Sequence, residues 1–92
     1  MVEIFWTELA QEDLQSIFTY ISRDSIRYAD RTVDKIILRV DQLEKYPKSG
    51  RIVPEFDNKL IRELLEGNYR IVYQIKDTSI FILRVHHAAR KI

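Results

Sequence analysis

The sequence predicts an α+β domain in the order β-αα-β-β-β, an antiparallel sheet packed on an N-terminal helical hairpin. Three observations carry that prediction. Residues 69–87, YRIVYQIKDTSIFILRVHH, alternate with a period of two across a polar break, as a β-hairpin does. Two earlier stretches, 9–23 and 26–46, repeat their apolar residues at helical spacing. The chain has 92 residues, enough for one core and too few for two, so residues 1–92 are read as a single domain.

Taken in order, Val2, Ile4 and Trp6 alternate with Glu3 and Phe5 in a short first strand. Thr7 can cap the helix that follows, and Glu8 in its first turn suits the positive end of the dipole. Ala10, Leu14, Ile17, Phe18 and Ile21 form the apolar stripe of that helix. Asp24 or Ser25 breaks and recaps the chain, and Ala29, Val33, Ile36, Ile37, Val40 and Leu43 make a second stripe, stopped by Pro47. Two helices joined so tightly form an antiparallel pair whose stripes cover one face of a small sheet. Residues 47–51, PKSGR, are a turn-rich connector, Val53-Pro54-Glu55 is extended, and 60–65 is a strand ended by the turn at Gly67-Asn68.

In the hairpin, Ile71, Tyr73 and Ile75 face the core with Phe81, Leu83 and Val85. A regular register sets 75 across from 81 and 73 across from 83. It also sets Arg70 opposite His86, Val72 opposite Arg84 and Gln74 opposite Ile82. The second face of the hairpin then presents two arginines and a histidine, while His87 turns to the core side.

Composition excludes several classes of function. There is no cysteine, hence no disulfide, no thiol nucleophile and no Cys-ligated zinc. Adjacent His86 and His87 point to opposite faces, so no metal site and no cofactor are expected. No run nears the ~18 apolar residues of a membrane span, and MVEIFWTE carries acid where a signal peptide carries base, so a cytoplasmic protein is expected. Residues 1–46 hold six Lys/Arg against nine Asp/Glu, and residues 47–92 nine against five. A basic β half beside an acidic helical half suggests an anionic ligand on the sheet.

No Gly-rich phosphate loop or metalloprotease motif is present. A site must come from a constellation: Arg70, Arg84 and His86 on the hairpin, Arg62 from the strand before it, and Lys48, Arg51 and Lys59 at the margin. Arginine forks of this kind suit a phosphate. Were that phosphate in RNA, Glu55 is the candidate base, Arg70 the electrostatic clamp and His86 the acid. The alternative is that the arginines are sheet residues paired with Glu63 or Glu66 and that the histidines merely end a strand.

WTELAQEDLQSIFTYI in the first helix, YADRTVDKIILRVDQLEKYPKSGRIVPE across the second helix and connector, and IRELLEGNYRIVYQIKD…IFILRVHHAAR in the sheet stand together in a specific order. Over nearly its whole length the chain resembles the RelE/ParE superfamily of toxins from type II toxin-antitoxin modules. That resemblance implies a RelE/ParE-like fold and a cognate antitoxin as partner in a hetero-oligomer. It offers two targets. In the ParE-like branch, to which RELLEGNYRIVY and ILRVHHAAR are closer, the toxin poisons DNA gyrase without catalytic residues, and His87 holds the histidine position of the pattern R-V-x-H-x-x-R. Arg51, Arg62, Arg84, His87 and Arg90 are then the candidates for target binding. In the RelE/YoeB-like branch the toxin cuts mRNA on the ribosome without a metal, and Glu55, Arg70 and His86 are the candidate catalytic residues; the tyrosine after the histidine in YoeB-like toxins is His87 here. A third expectation is a degenerate toxin that only binds an antitoxin.

Overall fold

In a computed structural model, which describes residues 2–89, two helices precede most of a five-stranded sheet. The elements are β1 (Glu3–Trp6), α1 (Glu8–Ser22), α2 (Ile26–Asp41) with a 3₁₀ turn at Gln42–Glu44, β2 (Arg51–Ile52), β3 (Ile61–Glu66), β4 (Tyr69–Lys76) and β5 (Ser79–His87). The α+β class and the helical hairpin stand as expected. The sheet is mixed rather than wholly antiparallel: its order is β1-β5-β4-β3-β2, and β1 runs parallel to β5. The intervening α1, α2, β3 and β4 return the chain to β1's edge in the same direction, which a tight hairpin cannot do.

Local chemistry explains the helix ends. Thr7 Oγ1 accepts from the Ala10 N–H at 3.2 Å, and it also donates to the Ile82 carbonyl at 2.6 Å, tying the start of α1 to β5. Ser25 Oγ caps α2 by accepting from the Tyr28 N–H at 3.1 Å. The core lies between helices and sheet, with Ile36, Val40 and Leu43 facing Leu64, Ile71, Tyr73 and Ile80, all at most 1% exposed. Tyr73 is the largest of these, and its hydroxyl is satisfied by donating to the Pro47 carbonyl at 2.8 Å and accepting from the Gly50 N–H at 3.0 Å.

The hairpin register holds at one end and slips at the other. Arg70 is opposite His86 and Val72 opposite Arg84, as the alternation predicts. Beyond a bulge between Val72 and Tyr73 the partners become Tyr73 with Ile82, Gln74 with Phe81 and Ile75 with Ile80. Ile80 and Ile82 therefore face the core in place of Phe81 and Leu83. Phe81 turns to the second face, where it stacks on Phe5 with ring centroids 5.4 Å apart. Four apolar residues in succession, 80–83, make either phase of the alternation acceptable by pattern alone.

Candidate functional site

The second face of the sheet is not an open cationic surface. On β3, Glu63 is 1% exposed and lies directly across from Val72 on one side and Arg51 on the other. One carboxylate oxygen accepts from Arg51 Nε at 2.5 Å and the other from Arg70 Nε at 2.6 Å. The far edge of the Arg70 guanidinium donates to Glu55 through both terminal nitrogens, at 3.0 and 3.1 Å. Four charges thus form a ladder of alternating sign, Arg51–Glu63–Arg70–Glu55. Its inner members are removed from water, with side chains 0% exposed for Glu63 and 8% for Arg70, and each has its opposite charge in place. Hydrogen bonding to Glu55 first, and then to Glu63, raises the Arg70 pKa above its ordinary value, so the guanidinium stays charged.

The connector makes this possible. Val53 is fully buried, its N–H bonds the Ile61 carbonyl, and Glu55 follows close enough to reach Arg70. Arg62 belongs to the connector's support and not to the second face. It lies across from Tyr73, and residues directly opposite share a face, so it points to the core side; its guanidinium donates to the carbonyls of Lys48, Gly50 and Lys59. Gly50 is required here for room, because a Cβ would stand 2.6 Å from the Glu63 carbonyl and from the Tyr73 hydroxyl.

The other candidates lie toward β5. Arg84 is on the second-face side but its guanidinium turns to α1, donating to both carboxylate oxygens of Asp13 at 2.9 and 3.2 Å. The same carboxylate accepts from the Val85 N–H at 2.9 Å. Asp13 thereby caps β5 beyond Ile82, where β1 has ended. His86 is half-buried opposite Arg70, and burial, Arg70 and then Arg84 push its pKa below the usual imidazole value. At neutral pH it is uncharged. His87 is exposed, with its ring edge-on to Tyr69 at 5.7 Å, and its Nδ1 accepts from the Ala89 N–H. Arg84, His86, His87, Tyr20, Tyr69 and Arg23 line part of a groove of about 890 Å³ between α1 and the end of β5. Arg90 lies outside the described residues.

Of the candidate residues, the fold brings Glu55, Arg70 and His86 together and adds Arg51 at the ladder's outer end. Glu63 and Asp13 are the residues that hold these groups: Arg70 pairs with Glu63, as the alternative reading of the arginines allowed, whereas Arg84 pairs with Asp13, which the sequence reading did not name. Glu63 had a signal: it is the one carboxylate in phase with Ile61 and Leu65 in IRELLE, opposite Val72. Among the described residues no group of three His, Asp or Glu side chains is placed to hold a metal ion. No helix among them is long and apolar enough to cross a membrane.

Glu55 is held bidentately by the Arg70 guanidinium. His86 faces the same guanidinium from across the hairpin.

Comparison with known proteins agrees with this architecture. Residues 4–92 match the family model described as the ParE toxin of the type II toxin-antitoxin system, parDE. Toxin RelE2 of Caulobacter vibrioides is 34% identical over 91 residues, covering 98% of this chain and 99% of that protein. Among solved structures, the chromosomal ParDE toxin-antitoxin system from P. aeruginosa superposes with a TM-score of 0.78 at 27% identity, over 95% of this chain and 96% of that one. The toxin-antitoxin complex RelBE2 from Mycobacterium tuberculosis shares the fold with a TM-score of 0.60 at 24% identity, over 94% and 96% of the two chains. The protein described here belongs to the ParE toxin family of type II toxin-antitoxin systems.

Proposed function

We propose that this toxin acts without catalysis, by binding DNA gyrase in the manner of the ParE-like branch, and that a cognate antitoxin neutralises it in a hetero-oligomeric complex. The observation that carries this reading is the bidentate Arg70–Glu55 pair continued through Glu63 to Arg51. An endoribonuclease needs that arginine for the phosphate and that carboxylate for the 2′-hydroxyl; here each occupies the other. The lowered pKa of His86, set by burial and by Arg70 and Arg84, weighs in the same direction. The likeness to the ParDE structure from P. aeruginosa supports the partner, an antitoxin, as well as the branch.

A second reading, a ribosome-dependent mRNA endonuclease, draws on Arg70 and His86 facing each other across the hairpin and on a relative named RelE2. Two assays separate them. Purified toxin is incubated with gyrase and supercoiled plasmid, and in parallel with ribosomes programmed with a defined mRNA. Trapped, cleaved DNA that persists with His86→Ala, alongside intact mRNA, supports the gyrase reading. Cut mRNA that His86→Ala restores to full length overturns it. Overexpression without growth arrest overturns both and leaves a module that only binds antitoxin.

A further inference from the structure

The Arg51–Glu63–Arg70–Glu55 ladder reaches into a stretch of chain that is also anchored at both ends. From Pro54 to Leu60 every residue is exposed. At one root Val53 is buried and its N–H bonds Ile61; at the other the Ile75 N–H bonds the Leu60 carbonyl and Arg62 Nε bonds the Lys59 carbonyl. Between the roots the segment bonds mainly to itself, Phe56 N–H to the Val53 carbonyl and Leu60 N–H to Asn58 Oδ1. Asp57 sits at φ 46°, in the left-handed region that L residues rarely adopt, so the closed shape carries some strain. Glu55, with a side chain 31% exposed, is the residue of this segment whose side chain reaches the sheet's charged row.

We propose that residues 54–60 are a strap that opens as a unit when the Glu55–Arg70 pair parts, while Val53, β3 and β4 stay folded. The closed strap masks Arg70. Opening changes the charge of the second face, since Arg51, Glu63, Arg70 and Glu55 sum to zero and the first three alone to +1. Arg70 then joins His86 and the outer part of Arg84 as one surface. The strap is thus a built-in cover for the face opposite the helices. This goes beyond the reading above and holds whichever target the toxin has.

Amide hydrogen exchange on the isolated full chain tests it without gyrase or ribosomes. In Glu55→Ala the Phe56 and Leu60 amides exchange about tenfold faster, while the β4 amides keep their wild-type rates. In the wild type, raising NaCl from about 0.05 to 1 M accelerates the same two amides, because the outer pair is partly solvated and screened; Glu55→Ala shows no such dependence. Unchanged Phe56 and Leu60 rates in Glu55→Ala overturn the proposal, because the strap is then held by its roots. Equal acceleration throughout β4 also overturns it, because the pair then belongs to the global fold.

Discussion

The two faces of the β4–β5 hairpin are buried by different physics. Toward the helices, Ile71, Tyr73, Ile75, Ile80, Ile82 and Val85 meet α1, α2 and the 3₁₀ turn in an apolar layer. Toward the connector, Val72 and Val53 are buried beside a row of charges in which Glu63 and Arg70 have been drawn out of water together. The first face gains stability from area removed from water and tolerates changes that keep volume. The second gains little net from its charges, since desolvation offsets attraction, yet it responds sharply when one partner is removed. The face that looks like a ligand site in the sequence is therefore the one whose charges are paired with one another.

Changes that put an unpaired charge on either face give the largest effects. Tyr73→Asp buries a carboxylate where the Tyr73 ring and its two hydrogen bonds were, and is expected to cost about 4 kcal/mol or more, enough to unfold much of the population of a small domain. Gln74→Asp, one residue along and partly exposed, is expected within about 0.5 kcal/mol of wild type. Thermal unfolding by circular dichroism distinguishes them, and equal losses would refute the assignment of faces. On the second face, Arg70→Ala leaves Glu63 with Arg51 alone and is expected to cost about 3–5 kcal/mol, whereas the apolar pair Arg70→Met with Glu63→Leu restores most of that loss. If the double variant is no better than the single one, the ladder is stabilising in its own right and the contrast between faces fails.

The same contrast explains what the sequence made legible. Both helices, their Thr7 and Ser25 caps, the hairpin and the pairing of Arg70 with His86 followed from periodicity and from capping chemistry, which are local. The parallel β1–β5 pair was not legible, because its partners are some 76 residues apart and no local pattern distinguishes a parallel edge strand from an antiparallel one. Nor was the bulge, since Ile80-Phe81-Ile82-Leu83 is apolar in both phases. For the site, alternation placed Arg70, Arg84 and His86 on one side but said nothing of occupancy. Whether Arg70 is available depends on Glu63 one strand away and on Glu55 in the connector, and Arg84 turns to Asp13, which lies 71 residues earlier. Charges choose partners through tertiary contact, and residue pattern records only the side of the strand on which each begins.

Gly50 offers an intermediate effect that probes how the connector is held. Its backbone carries no left-handed strain, so Gly50→Ala acts only through the methyl group, which meets the Glu63 carbonyl and the Tyr73 hydroxyl at 2.6 Å. The expected cost is about 1–3 kcal/mol, from overpacking and a weakened Gly50–Tyr73 bond. Tyr73→Phe in the same background removes the hydroxyl and relieves part of the clash, so the two substitutions together should cost less than the sum of their separate effects. Urea midpoints of the four proteins give the coupling. Strict additivity would mean that the connector moves away as a body and that Gly50 is not pinned against β4.

The smallest expected effect is the pH response of His86. Its folded pKa lies below the ordinary 6.5 because burial, Arg70 and Arg84 disfavour the imidazolium, with Asp13 opposing them weakly. Well above pH 6.5 the ring is neutral in both folded and unfolded chains and contributes nothing to pH dependence. As pH falls through that value the unfolded chain takes up the proton first, so stability declines until the folded ring also protonates. Because the ring is only half-buried the loss is small, about 0.5 kcal/mol or less between pH 6.5 and 5.5. Urea midpoints measured across that window should fall for the wild type and flatten for His86→Gln, after subtraction of any slope the two share. The ring's own titration, followed by NMR, sharpens the comparison of faces: a midpoint that does not move in Arg70→Met would mean that Arg70 is too well neutralised by Glu55 and Glu63 to be felt across the hairpin, and that the ladder screens its own cation even from the residue directly opposite.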